Sequence, residues 1–502
     1  MRARRTPVAI VAAAFLGLGL VAPTSAATAA GGDADTLKAT QKIRDAVSAK
    51  SLTAHLKQLD AAAKRYGDRA AGTTGYDAAG RYVEFKLREA GYKPTRQYFD
   101  FEFEEIQEQE VTVAGAAVEA IVATYSPSTP AGGVSSTLAV PTTPLGCDAA
   151  AYAGADVTGK VVLVSRGDCS FGQKATVAKA AGAGAVLIAN NTEGPLNATL
   201  GDPAGDYAPT LGITQAEGTR LAGLVGSAAT VDLQVLRETR RTFNVIAETK
   251  GGDADNVVML GAHLDGVEDT VAANDNGTGT AAVLETAIQL PKQKGLKNKV
   301  RFAFWGAEEL GLIGSTEYVN DLVETDPTAL DDIATYLNFD MLGSPNWVTS
   351  VYDADQSTYA STVPIPAGSI ETEKAFRDYF KAVRKPVVDT EFSGRSDYQA
   401  FIENGVAAGG LFSGADGTKT EAEQLLFGGT AGVTYDPNYH TAKDDLANVN
   451  AKALHLHGDA VAHLTLTLAR STRVIDVPDP TARTFSVKKK VAYGLPDGVV
   501  RR

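Results

Sequence analysis

Seven residues in the second half of the chain carry groups that bind divalent metal ions: His263 and Asp265 in GAHLDGV, Asp275 in NDNGTG, Glu308 and Glu309 in WGAEEL, Asp340 in YLNFDML, and His440 in PNYHTA. Imidazole and carboxylate donors with no cysteine among them suit zinc and tolerate manganese or cobalt. His263, Asp275, Asp340, His440 and one of the two glutamates make five ligands, one too many for a closed tetrahedral site. They suit two ions, each with one histidine and one terminal carboxylate, sharing a further carboxylate. Three carboxylates and one bridging hydroxide contribute about −4, which matches two divalent cations. A hydroxide held in that way is a nucleophile at neutral pH, and a spare carboxylate beside it can take and return its proton. Glu308 and Glu309 are adjacent, and spacing does not say which is ligand and which is base. Taken singly, each residue has an ordinary explanation: a satisfied loop histidine, a carboxylate at a helix start, an aspartate capping a turn. Their joint position is what selects the metal reading.

That position is set by apolar runs. Val257 to Gly261 reads as a buried strand that emerges at His263 and Asp265, VRFAFW leads into Glu308 and Glu309, and YLNF leads into Asp340. Behind Asp275, GTGTAAVLETAIQL has the composition of a helix entered through a glycine-rich turn. Strand and helix then alternate through LGLIGSTEYVNDL, TEKAFRDYFKAVRK, SDYQAFIENG and VAAGGLF, which implies an α/β fold with a mixed, mainly parallel sheet flanked by helices. In such sheets ligands bind beyond the carboxyl ends of the strands. Upstream, residues 33–91 predict two or three amphipathic helices, with His55 a solvated helix residue. TRQYFDFEFEEI and VTVAGAAVEAIVATY predict two strands. NAKALHLHGDAVAHLTLTLA predicts a helix on which His455 and His457 face different sides, with His463 hydrogen-bonded to Asp459 four residues earlier.

The 47 basic and 60 acidic residues give a net charge of −13, which argues against nucleic acid or an anionic membrane as partner. Arg2, Arg4 and Arg5 precede an apolar run from Val8 to Val21 and then small residues, the layout of a secretory signal peptide over residues 1–29. The run is shorter than the roughly 20 residues of a spanning helix. A secreted, extracellular protein that works as a monomer is the expectation, with the export route left open. From 126 to 236 clusters of Ser, Thr, Pro and Gly surround short apolar runs, as in a separate inserted unit. Its Cys147 and Cys169 are the chain's only cysteines, and in an exported protein a lone pair most simply forms one disulfide. The 471–502 tail has prolines and a basic run and reads equally as a docked extension or a processed segment.

Within the inserted unit, GKVVLVSRGDCSFGQKATVAKAAGAGAVLIANN resembles the protease-associated domain, a mainly-β α+β module that serves secreted peptidases as a non-catalytic lid or substrate-access unit. Over about 241–469, GAHLDGV, NDNGTGTAAVLE, FAFWGAEELGLIGS, YLNFDMLG, FSGRSDYQAF and YDPNYHTAKD occur in the order and spacing of the secreted bacterial co-catalytic di-zinc aminopeptidases, a leucine-aminopeptidase-like and aminopeptidase S-like group. The resemblance implies a zinc-exopeptidase fold, with the catalytic domain in 33–125 and 237–470. It implies two zinc ions, one on His263 and Asp340, the other on Glu309 and His440, bridged by Asp275. Glu308 would be the general base, Tyr439 the oxyanion donor and Asp265 the residue orienting His263. Arg395, through its carbonyl, and the segment around Phe412 would receive the substrate's ammonium and side chain. The implied activity is removal of N-terminal, large hydrophobic residues from peptides. A dipeptidase or carboxypeptidase would share every ligand, and an inactive receptor-like fold would have lost some. One departure is plain: Asn438 and Lys443 stand where close relatives carry cysteines.

Overall fold

The computed structural model describes residues 32–361, 363–473 and 475, so the expected signal peptide and most of the expected C-terminal extension lie outside the described residues. At its centre the strand Asp253–His263 runs parallel to Asn298–Trp305 on one side and to Ile333–Asp340 on the other. Ala408–Phe412 continues the parallel order beyond Ile333–Asp340, followed by Ser350–Tyr352 and Val388–Thr390, while Ala228–Glu248 adds antiparallel to Asn298–Trp305. The register sets His263 level with Trp305 and Asp340 level with Phe412. The three strands that carry candidate ligands therefore end at one edge.

Period-two alternation buries both faces of this sheet. Leu260, Phe302, Phe304 and Phe339 pack under one helical layer, and Met259, Ala303, Trp305 and Tyr336 pack under the other with Tyr318 and Phe401. The first layer includes Ala49–Tyr66, Gly277–Gln289 and Ala451–Arg470. The N-terminal stretch forms three helices, Gly32–Ala46, Ala49–Tyr66 and Thr74–Glu89, the last two capped by Ser48 and Thr73 side chains on the free amides of the first turn.

His55 corrects the expectation of a solvated residue. It sits in the row Leu52, His55, Leu56, Leu59 that forms the apolar stripe of its helix, and it is buried. Its Nε2 lies 2.7 Å from Glu285 Oε2 and its Nδ1 2.7 Å from the Tyr82 hydroxyl. His463 is a second correction. Packing against Tyr379 and the first helix turns its Nδ1 to Thr40 Oγ1 at 2.7 Å, and Asp459 lies instead 3.8 Å from His455 Nδ1. His455 and His457 do face different sides, the first exposed and the second fully buried.

The two strands expected after Pro94 are mostly one. Thr95–Val113 pairs along its length with Ala228–Glu248, with a bulge between Ile106 and Glu108. This ribbon runs from the central sheet into the inserted unit, where Val134–Ala139, Val161–Ser165, Ala185–Ala189 and Thr210–Ile213 form parallel pairs beside the helix Phe171–Ala180. Val111, Val113, Val118 and Val122 of the ribbon and its hairpin share that unit's core with Val161, Leu187 and Val231. Cys147 and Cys169 form a disulfide with Cα atoms 5.9 Å apart. Among the described residues no helix is long and apolar enough to cross a membrane.

Candidate metal centre

His263 is the last residue of its strand and Asp340 the last of its own, so both side chains project from the common edge. His263 Nε2 lies 3.3 Å from Asp340 Oδ1 and 3.2 Å from Asp275 Oδ1. His440 Nε2 lies 3.2 Å from Asp275 Oδ2 and 3.0 Å from Glu309 Oε2. Asp275 thus stands between the two imidazoles and offers one oxygen to each. Glu308 Oε2 is 4.0 Å from His263 Nε2. Two groups of donor atoms, His263 with Asp275 and Glu309, and His263 with Glu308 and Asp340, each lie within 4.8 Å of one another.

Backbone devices aim these side chains. Asp265 Oδ1 accepts the Glu308 N–H and its Oδ2 the Glu309 N–H, while its own carbonyl accepts from His263 Nδ1 at 3.2 Å. With its proton on Nδ1, the neutral His263 ring turns the Nε2 lone pair toward the centre. Ser396 Oγ donates to Asp340 Oδ2 at 2.7 Å. Asn276 caps Gly277–Gln289 and holds the Phe339 carbonyl, tying the Asp275 turn to the Asp340 strand. Ala307, Met341 and His440 have φ of 59°, 46° and 56°. Left-handed backbone at residues with a Cβ persists only where surrounding structure over-determines it, and these three residues are donors or stand beside them.

The donor set fits metal on two grounds. His440 Nε2 and Glu309 Oε1 are buried without a hydrogen-bond partner, so the site holds polar atoms that the protein itself leaves unsatisfied. The electrostatics call for cations. Burial first, and then the Asp275 carboxylate, push Glu309 up to about 7. Burial opposes charge on His440, yet Glu309 and Asp275 carry it up to about 10. Burial also opposes charge on Asp275, which the two imidazoles hold well below the usual range. A third acidic group, Asp353, Asp355 and Glu373, has another use: Asp353 accepts the amides of Ser357, Thr358 and Tyr359, and Glu373 those of Ala354 and Asp355.

The remaining expected residues line the same cavity of about 570 Å³. The Tyr439 ring stacks on His440 at 3.8 Å, Arg395 pairs with Asp416 at 3.3 Å, and Phe412 closes one strand end. Phe103 and Glu104 bring the ribbon to the cavity wall. Sequence reasoning missed Arg69, which is fully buried and donates to the carbonyls of Leu264, Val271 and Ala272 along the loop between His263 and Asp275. In RYGDRAAG it carries no motif, and its role depends on residues about 200 positions away. Asp444 closes the motif YDPNYHTAKD, but its role was not legible there: its carboxylate accepts the amides of Asn274 and Asp275. Asn438, at one of the places where the resemblance has cysteine, donates to Asn448 Oδ1 at 2.8 Å.

Comparisons with known proteins agree with this geometry. The profile of Peptidase family M28 matches residues 244–465 and that of the PA domain residues 134–221. The chain is 43% identical to "Probable leucine aminopeptidase 2" of Aspergillus fumigatus, covering 86% of this chain and 85% of that one. It is 44% identical to "Probable lipoprotein aminopeptidase LpqL" of Mycobacterium tuberculosis, covering 84% and 85%. Among solved structures, the aminopeptidase from Aneurinibacillus sp. strain AM-1 superposes with a TM-score of 0.67 at 28% identity, covering 86% of this chain and 96% of its own. BSAP, a zinc aminopeptidase from Bacillus subtilis, superposes with a TM-score of 0.61 at 26% identity, covering 86% and 98%. The chain belongs to peptidase family M28 and carries a PA domain inserted within it.

Proposed function

We propose that this protein is a secreted di-zinc aminopeptidase that removes N-terminal residues, large apolar ones preferred, from peptides. The observation that carries the reading is Asp275, with one oxygen 3.2 Å from each imidazole. It divides the donors into His263 with Asp340 and His440 with Glu309, the pattern a shared carboxylate imposes on two ions. The aminopeptidase names of relatives at 43% and 44% identity support the activity, and the zinc of BSAP supports the metal. Bound there, zinc supplies Lewis acidity toward the scissile carbonyl and acidifies water.

The chain's own residues do the rest. Glu308 takes a proton from the attacking water and returns it to the departing amine. Burial above all, and then the Asp397 and Asp340 carboxylates, hold Glu308 well above the ordinary range. Its place as base, with Glu309 as ligand, rests on the family resemblance, since Glu308 also lies within donor reach of His263 and Asp340. The Tyr439 hydroxyl donates to the carbonyl oxygen, and burial keeps it protonated. Asp265 orients His263 and the two glutamates. Glu308, Asp340 and the Arg395 carbonyl receive the free ammonium, and Phe412 walls the side pocket. We assign the catalytic domain to 33–125 and 237–470 and the insertion to 126–236, whose core also draws in the hairpin at 111–122. The enzyme works as an exported monomer.

Metal analysis should find two zinc ions per chain, and chelation should abolish activity. Leu anilide should exceed Ala anilide by about tenfold or more in kcat/KM, because burying the larger side chain contributes roughly 1.5–3 kcal/mol. An acetylated Leu anilide turned over at a rate near that of the free one would overturn the aminopeptidase reading. A preference for Ala or Glu would overturn only the side pocket.

A further inference from the structure

We infer that Asp444 is a positioning residue that sets Asp275 between the two imidazoles and couples that setting to the loop carrying His440. The inference rests on the di-zinc reading above. The segment between His263 and Asp275 has no regular structure until Asn276 caps the next helix, so something other than secondary structure must hold it. Its carbonyls at Leu264, Val271 and Ala272 are held by the buried Arg69 guanidinium. Its amides are held by Asp444. The Asp444 backbone carbonyl accepts the Ala273 N–H at 3.0 Å, Oδ1 accepts the Asn274 N–H at 2.9 Å, and Oδ2 accepts the Asp275 N–H at 2.9 Å. Three successive amides that end on the shared candidate ligand are thus fastened to one residue, four positions beyond His440.

Asp444 is itself braced. Asn448 Nδ2 donates to Asp444 Oδ1 at 3.1 Å and to both oxygens of Asp436, and Asp436 Oδ2 also accepts from Asn274 Nδ2 at 2.7 Å. Asn438 Nδ2 completes the ring through Asn448 Oδ1. Asp436, Asp444 and Asn448 are all buried, so each bond forms where water cannot substitute for it. The loop around His440 and the turn at Asp275 are therefore one hydrogen-bonded body. Displacing Asp444 frees the backbone of Asp275 and shifts both of its oxygens relative to both imidazoles.

The test uses Asp444→Asn, which keeps Oδ1 but turns a donor toward the Asp275 N–H, and Asn448→Ala, which removes the brace and leaves both Asp444 oxygens in place. Lys443→Ala, at the exposed neighbouring position, is the control. Zinc retained by folded protein is titrated against a chelator, with kcat and KM on Leu anilide and the thermal midpoint of the metal-free protein. Asp444→Asn should weaken retention of at least one zinc by about 10-fold to 100-fold and lower kcat by a similar factor with KM within about twofold. Asn448→Ala should move the same quantities in the same direction by less, and Lys443→Ala should move none. Unchanged zinc retention and kcat in both variants, with only the metal-free midpoint lowered, would reduce Asp444 to a stabilising residue and overturn the inference. If the unsubstituted protein holds fewer than two zinc ions, the di-zinc reading itself fails.

Discussion

Two adjacent glutamates of the candidate site have different surroundings. Both follow Ala307, whose left-handed φ of 59° turns the chain at the strand end, and both amides are gripped by Asp265. Glu309 then reaches toward His440, whereas Glu308 stands 4.0 Å from His263 Nε2, near Asp340. If Glu308 moves the proton and holds no metal, Glu308→Ala should keep two zinc ions and lower kcat by about 100-fold to 10,000-fold. Zinc analysis of the variant beside its turnover number checks this. Loss of one zinc would make Glu308 a ligand and exchange its role with that of Glu309.

At the scale of elements, the helix Ala451–Arg470 acts through buried histidines. His457 Nδ1 donates to the Leu342 carbonyl at 2.8 Å, and its Nε2 accepts from Thr349 Oγ1 at 2.9 Å, so the neutral ring pins both ends of the segment that follows Asp340. Met341 and Val348 of that segment line the cavity. Burial pushes His457 down from 6.5 to about 4 and His463 to about 3. The folded state therefore binds fewer protons than the unfolded chain between these values and pH 6.5. The stability these rings contribute is complete above pH 6.5 and is lost as pH falls toward 4 and 3, roughly 3 kcal/mol for His457 alone. Urea unfolding of the metal-free protein at pH 7 and pH 4.5 should show this loss, and His457→Gln should make it smaller. An equal loss in the variant would place the acid sensitivity elsewhere.

At the scale of the whole molecule, one antiparallel ribbon joins two cores. Thr95–Val113 and Ala228–Glu248 contribute Phe99, Phe101 and Phe103 to a cluster with Ala307 and Ile313 near the site, and Val111, Val113 and Val231 to the core of the insertion. The bulge between Ile106 and Glu108 falls between the two groups. The disulfide closes a loop of 22 residues wholly within the insertion, and neither cysteine lines the cavity. Replacing Cys147 and Cys169 together by serine should lower the insertion's stability by about 3 kcal/mol. Zinc content and turnover of a single-residue anilide should stay unchanged. Urea unfolding and metal analysis of the double variant check both halves, and lost zinc would mean that the two cores are not energetically separate.

The strand ends, the helical flanks, the inserted unit and the cysteine pair were legible in the sequence because each is written in local signals. Short apolar runs stop where His263, Glu308 and Asp340 begin, and turn-rich composition marks the insertion. The shared edge was inferable from fold class alone, since parallel strands present their carboxyl ends together. His55 was misread because its neighbours show a stripe but not the Glu285 and Tyr82 partners that compensate its burial. Arg69 had no local signal, and the motif that ends at Asp444 said nothing of what that carboxylate holds. Each acts on backbone groups about 170 to 200 residues away, and main-chain amides and carbonyls look alike in every sequence. The sequence by itself thus determined which chemical groups are present and on which element each is carried. Only the tertiary structure decided their aim, because hydrogen bonds between distant segments depend on how the cores pack and not on any pattern along the chain.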